Sequence, residues 1–311
     1  MMNRGFNILQ DKWINHSKHN EEESRKLLSA ADVVICEWAL GNSVWYSNNV
    51  RDDQSLFIRF HRQEMDTDYP KDIDWDSVDN IIFIAPLIQR EVVEKFNIPD
   101  GKDMLLPNYV ETSHFVREKS EKSKRTLGLM GMVPLMKRFD RALDILQRLN
   151  EKGLDFQLRI KGKQPTDYPW MQDRPDELAW YETQMKRLEE DPHLIGRVHF
   201  DGWGNDVPEW FSEIGFILSV SDFEGSHQAV AEGAASGTVP IIIEWPGASE
   251  VYPQDWCVDT LDEAVDMIIK EMSEVDKTED QKKKREMMSL IENEFDLSVI
   301  TSKWIDLFSN K

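Results

Sequence analysis

The sequence predicts an α/β fold of two parallel-sheet domains. Three observations carry this: short apolar runs recur along the chain, amphipathic helical stretches separate them, and a charged segment near residue 120 interrupts both patterns. The runs are DVVICEW, SLFIRFH, NIIFIA, DMLLPN, RTLGLMG, FQLRIKG, RVHFDGW, GFILSVS and VPIIIEW. Short apolar stretches alternating with helical patterns read as buried strands linked by crossover helices, the βαβ signature.

Residues 1–120 form the first predicted domain. Residues 1–30 offer an amphipathic helix pattern, EEESRKLLSAAD, but no apolar run and no glycine-rich turn, so only three or four strands are expected before residue 110. The boundary is expected in VREKSEKSKRT, where strand and helix signals stop before restarting at RTLGLMG. The second domain, residues 121–290, reads as complete. RTLGLMG leads to helix RFDRALDILQRLNEKG, then FQLRIKG, a Trp-bearing segment, helix ELAWYETQMKRLEE, RVHFDGW, GFILSVS, helix QAVAEGAASG and VPIIIEW. Residues 291–311, ending in KWIDLFSNK, are expected to form a helix that packs back on the first domain.

Bulk properties narrow the function. With 311 residues, 40% hydrophobic content, 11 Trp and 14 Phe, the chain can fill two cores. No run of about 18 apolar residues is present to span a bilayer, and MMNRGFNILQDKWINHSKHNEEES is too polar for a secretory signal, so a cytoplasmic location is expected. The formal charge of −21 opposes nucleic-acid binding. The basic run Lys282–Arg285 follows the acidic stretch EMSEVDKTED and reads as a solvated helical face, with peripheral contact at the inner face of a membrane left open. Cys36 and Cys257 lack ligand or redox spacing and are expected to be reduced, buried thiols.

The chemistry concentrates in SDFEGSHQAVAEG, residues 221–233. A strand followed by a turn and a helix N-terminus offers unpaired backbone N–H groups and a favourable dipole for anions. Gly225 is expected to let the backbone approach a ligand, with Ser226, His227 and Gln228 opening the helix. Glu224 has an ordinary explanation as an acid near a helix start. Glu232, among Ala, Val and Gly, has none. If helical throughout, the eight-residue spacing spans roughly 12 Å, so the two carboxylates could grip two parts of one elongated ligand.

This segment is similar to the E-x7-E motif of retaining glycosyltransferases of family 4. SLFIRFHRQE resembles that family's strand ending in histidine, NIIFIAPLIQREVVEKFNIPDGKDMLLPNYV the segment to its linker, GMVPLMKRFDRAL its lysine-bearing loop, and FDGWGNDVPEWF the turn before E-x7-E. The resemblance covers about residues 30–250. It implies the GT-B fold, two Rossmann-like domains facing across a cleft, here with the first apparently truncated. Its implied activity is metal-independent, retaining transfer of a hexosyl group from a nucleotide sugar to a glycan or lipid-linked acceptor, without a cofactor, as in polysaccharide biosynthesis. The resemblance gives Glu232 the nucleotide ribose, and gives Glu224 with Gly225, Ser226, His227 and Gln228 the donor sugar and distal phosphate. Lys137 would neutralise the departing diphosphate, His61 would sit beside the sugar, and Gly162 would lie near the nucleobase.

Departures accompany the match. The family's arginine five residues before the lysine is Met132 here, which leaves Arg138, Lys163 or Arg159 to supply a second charge. The linker glycine is Tyr109, and the family's first glycine-rich loop has no counterpart. These departures suit an alternative: a catalytically silent nucleotide-sugar-binding subunit, with a protein partner or second copy completing the first domain. The D-x-D triplets at Asp66–Asp68, Asp72–Asp74 and Asp74–Asp76 lack a preceding strand and read as a solvated loop, not a metal site. Trp170, Trp180, Trp203, Trp210 and Trp245 are candidates for either core packing or sugar stacking.

Overall fold

In a computed structural model, which describes residues 5–273 and 277–309, all nine apolar runs contribute strands. The chain divides into two units. One takes the residues up to Asn108 together with those from Ser298 on, and the other is Tyr109–Leu297.

The first unit holds β1 (Val33–Glu37), β2 (Ser55–Phe60), β3 (Asn80–Phe83) and β4 (Asp103–Leu105), all parallel and in sequential order. Helices Glu21–Ser29, Gly41–Ser47 and Pro86–Phe96 accompany them. Asn20 starts the first helix, its side chain accepting from Glu23 N–H. β2 and β3 are the apolar centre, with Leu56, Phe57, Ile58, Phe60, Ile81, Ile82 and Phe83 fully buried. Helix Leu297–Ser309 brings Ile300 and Trp304 against Phe57, Ile82 and Leu106. The D-x-D triplets lie among short 3₁₀ turns. There Asp66 pairs with Arg62, Asp68 with Lys71, and Asp74 accepts from Asp76 N–H and Ser77 Oγ.

The second unit holds β5 (Thr126–Met130), β6 (Gln157–Lys161), β7 (Val198–Gly202), β8 (Phe216–Ser219), β9 (Val239–Ile243) and β10 (Cys257–Val258). They form a parallel sheet in the order β10-β9-β8-β5-β6-β7. After β5 the chain builds outward through β6 and β7, then returns to β8 and builds the other way. The order therefore reverses between β5 and β8. Helices Phe139–Glu151 and Leu261–Ser273 cover one part of the core with Leu143, Leu146, Ala264 and Ile268. Helices Gln228–Ala235 and Lys277–Phe295 meet in another, where Val230, Ala231 and Ala234 join Ile291 and Phe295.

The division between units falls ahead of the charged stretch that marks it in the sequence. Residues 109–120 belong to the second unit because specific contacts hold them there. Val110 forms a bridge with Asp296, Thr112 Oγ1 donates to Asp296 Oδ2, and the Lys119 ammonium reaches Phe211 O, Ile214 O, Ser236 Oγ and Thr238 Oγ1. Residues 291–297 likewise stay with the second unit. Lys282 in the basic run pairs with Glu279 and Glu286 of its own helix, and Lys283 with Glu271. Cys36 is buried, but Cys257 is only half-buried, since β10 lies at the sheet edge. Residues 1–4, residues 274–276 of EMSEVDKTED and the last two of KWIDLFSNK lie outside the described residues. Among those described, no helix is long and apolar enough to cross a membrane.

Candidate functional site

In an open parallel sheet, the loops leaving two neighbouring strands on either side of a reversal in strand order part to form a crevice at the strands' carboxyl ends. Here those loops follow β5 and β8. The first carries Lys137 and the second Glu224. A backbone hydrogen bond of 2.9 Å from Asp222 N–H to Met136 O ties the loops together. Across them, Lys137 Nζ donates to Glu224 Oε1 at 2.6 Å, as does Ser221 Oγ at 2.6 Å. Burial alone would raise the Glu224 pKa. Electrostatic interaction with His227, the positive charge of Lys137 and the hydrogen bonds from Lys137 and Ser221 outweigh it and hold the carboxyl below its usual range.

The backbone then turns into helix Gln228–Ala235 through His227, which adopts a left-handed conformation at φ 38°. The His227 side chain lies buried, its Nδ1 2.6 Å from Ser219 Oγ, which also accepts from Trp245 Nε1 at 3.0 Å. Burial lowers its pKa to about 4, so the imidazole is neutral at pH 7. Its Nδ1 braces the turn, while its buried Nε2 has no hydrogen-bond partner among the described residues. Ser226 is buried too, its carbonyl accepting from Tyr252 OH at 2.7 Å. Gln228 Nε2 donates to Tyr109 O at 2.8 Å.

Glu224 lies four residues ahead of the helix, so the expectation of two carboxylates along one helical wall is corrected. Glu232 alone is on the helix. It is half-buried among small apolar residues, and no cation pairs with it among the described residues. Burial pushes its pKa up to about 7, against a smaller opposing effect of a Gln228 hydrogen bond. An acid in that condition suits a ligand with hydroxyl donors.

Two of the three candidates for a second cation, Arg138 and Arg159, are held by carboxylates. Arg138 is gripped by Asp140 through Nε at 3.0 Å and Nη2 at 2.8 Å, and by Asp222 through Nη1 at 2.9 Å. Arg141 joins it on Asp222 at 2.8 Å. Arg159 makes a two-pronged pair with Asp201, both contacts at 2.8 Å, and also pairs with Glu213. Lys163 is exposed, its ammonium 5.6 Å from the centre of the Tyr168 ring. Met132 is buried and makes no claim on a phosphate. The pairing of Asp222 with Arg138 and Arg141 escapes sequence reading, since it joins loops distant in sequence.

At the ends of β5, β6 and β7 stand Gly131, Gly162 and Gly202, all at positive φ. A Cβ on Gly162 would sit 3.5 Å from Gly131 Cα, so the two loops approach at backbone distance. Trp203, next along, is 72% exposed, whereas Trp210 and Trp245 are core residues with their indole N–H groups bound to Asp201 and Ser219. Trp180 packs against the core, and Trp170 lies beneath the Arg174 guanidinium.

His61 belongs to the first unit, just past β2. Its Nε2 lies 2.8 Å from Glu37 Oε1, which Arg59 Nη1 also reaches at 2.9 Å, and its ring centroid is 4.4 Å from that of Trp38. Burial would raise the Glu37 pKa, but the His61 hydrogen bond and the Arg59 charge hold it below the usual range. Buried Glu64 accepts from Ala39 N–H and His61 N–H and so joins the loops after β1 and β2.

No protein-family model matches the chain, and no curated protein matches it in sequence. Solved structures match it in fold. Anabaena HepE in complex with UDP and glucose gives a TM-score of 0.73 at 12% identity, over 93% of this chain and 81% of HepE. A glycosyltransferase from Rickettsia africae gives 0.69 at 13%, over 93% and 79%. TarM of S. aureus gives 0.68 at 13%, over 92% of this chain and 57% of TarM. At such identities the likeness is one of fold: the chain has the GT-B fold.

Proposed function

We propose that the chain is a glycosyltransferase of the retaining, family 4 kind, moving a hexosyl group from a nucleotide-diphosphate sugar to a glycan or lipid-linked acceptor. The observation that carries this reading is the Lys137–Glu224 pair on two loops leaving the sheet where its strand order reverses, with unpaired Glu232 on the helix that follows. HepE's complex with UDP-glucose supports the donor class. In this reading Glu232 accepts the ribose hydroxyls, Glu224 accepts donor-sugar hydroxyls, and the backbone of residues 225–228 donates to the distal phosphate. As the bond from anomeric carbon to phosphate oxygen breaks, the leaving diphosphate gains negative charge. Lys137 stabilises that charge in place of a divalent ion. The acceptor hydroxyl attacks from the same face and passes its proton to the leaving phosphate oxygen, so no protein nucleophile is needed.

The test is a panel of nucleotide sugars assayed with wild type, Glu232→Ala and Lys137→Ala. We expect loss of transfer of at least about a hundredfold in each variant. Equal turnover in all three would sink the site assignment.

A second reading has its own observation. With Met132 buried and Arg138 and Arg159 each held by two carboxylates, the cations left for a diphosphate are Lys137, itself paired with Glu224, and exposed Lys163. That suits a nucleotide-sugar-binding subunit that transfers only with a partner. Calorimetric binding of nucleotide sugar without turnover would support it, and transfer by the isolated chain would exclude it.

A further inference from the structure

The first unit contains a cavity of about 430 Å³ alongside β1, built from residues the donor reading does not use. Its wall is the polar segment at residues 9–16, which the helix beginning at Gly41 holds in place. A Cβ on Gly41 would collide with the His16 carbonyl and the Ser17 Cα, so the segment lies directly on that helix. Asp11 is fixed more tightly still. Its Oδ2 accepts from Trp13 Nε1 at 2.9 Å, Ser24 Oγ at 2.6 Å and Tyr46 OH at 2.7 Å, while no described residue hydrogen-bonds its Oδ1. Two indoles, Trp13 and Trp38, line the same space, each backed by an imidazole: His19 at 3.8 Å and His61 at 4.4 Å. Trp38 holds a left-handed backbone at φ 78°, which is costly for a bulky side chain and concentrates at binding sites. Glu37 and Asn42 add to the polar lining, as do Gln10, Asn15 and His16.

The lining excludes most ligand classes. Among the described residues no lysine or arginine lines the cavity, and the Asp11 carboxylate, which no described cation pairs, repels a phosphate or carboxylate ligand. No group of three or more His, Cys, Asp or Glu among the described residues is placed to hold a metal ion. A purely apolar ligand would strand the Asp11 and Asn42 hydrogen-bonding capacity, at about 1–3 kcal/mol for each group. Aromatic faces beside fixed carboxylate and amide groups match a sugar ring, with its apolar C–H face and its rim of hydroxyls. The volume lies toward the small end of ligand sites, which span about 300–1,000 Å³.

We infer that this cavity binds an uncharged saccharide of one or two rings, stacked on Trp38 and Trp13 and hydrogen-bonded by Asp11, Glu37 and Asn42. Taken with the transferase reading, on which this last step rests, it names a neutral glycan as the acceptor class. The binding itself does not depend on that reading.

The test uses the full chain and calorimetry with methyl glucopyranoside, methyl galactopyranoside, N-acetylglucosamine and maltose, with glucuronate as the anionic counterpart and UDP as control. At φ 78° glycine is the favoured residue, so Trp38→Gly removes the ring without disturbing the backbone. At least one neutral sugar should bind wild type, and bind about tenfold more weakly to Trp38→Gly and to Asn42→Ala, with UDP binding unchanged. Three results would overturn the inference: no neutral sugar binding, equal binding by Trp38→Gly, or glucuronate binding as well as the neutral sugars. Sugar binding without UDP binding would leave the inference standing and remove the donor reading.

Discussion

Glu232 and Glu224 are eight residues apart in sequence, yet their environments push them in opposite directions. Lys137 and Ser221 stabilise ionised Glu224, whereas burial disfavours ionised Glu232 and raises its pKa to about 7 from 4.5. A carboxyl whose folded-state pKa exceeds its unfolded value favours folding most below the lower value, and that contribution is lost as pH rises through the higher one. Wild type should therefore lose up to about 3 kcal/mol relative to Glu232→Gln between roughly pH 4.5 and pH 7. Thermal melts of both chains across this range check it, and parallel curves would refute the burial argument. Ribose hydroxyls need the ionised form, so UDP should bind more weakly below pH 7 in wild type. The Gln variant should bind weakly at every pH. An affinity flat from about pH 5 to pH 8 would show that Glu232 does not hold the ribose.

The element that aims Glu232 is helix Gln228–Ala235, and its seat is set by the next residue. A Cβ on Gly233 would lie 2.8 Å from Ile217 Cγ2 and 3.1 Å from Phe211 Cε1, so the helix rests on β8 at a distance only glycine permits. Gly233→Ala should cost about 1–2 kcal/mol and weaken UDP binding, because the displaced helix carries Glu232 with it. Unchanged calorimetry and melting would show that this contact does not seat the helix. At this scale the sequence is informative about strands, since a parallel strand buried on both faces must read as an apolar run. It is poorer at edges and ends. β10 is two half-buried residues, Cys257 and Val258, with no run to find. The start of helix Gln228–Ala235, by contrast, was legible at QAVAEGAASG. Candidate positions in SDFEGSHQAVAEG were legible because acids and glycines stand out there. The pairs of Arg138 with Asp222 and of Arg159 with Asp201 and Glu213 were not, since segments distant in sequence bring them together. Nor was the Asp11 cavity, hidden in a polar segment without periodicity.

Across the whole molecule, the path of the chain makes the first unit depend on its last helix. The first sheet has only four strands, and Phe57, Ile82 and Leu106 on it are covered by Ile300 and Trp304, reached only after the entire second unit has been traversed. Phe308 extends the same cover, with its ring centroid 5.3 Å from that of Phe57. Replacing Trp304 with Ala should open a cavity costing about 3–5 kcal/mol, the usual range for losing a large core aromatic. The loss should fall on the first unit alone, since the second keeps its own cores around β5 and β8. Nucleotide binds the second unit on the proposed reading, and a ligand that binds only the folded form raises the stability of the unit it occupies. Scanning calorimetry should therefore resolve two transitions in Trp304→Ala: an early one insensitive to UDP and a later one that UDP raises. A single transition shifted as a whole by UDP would mean that the two units unfold together.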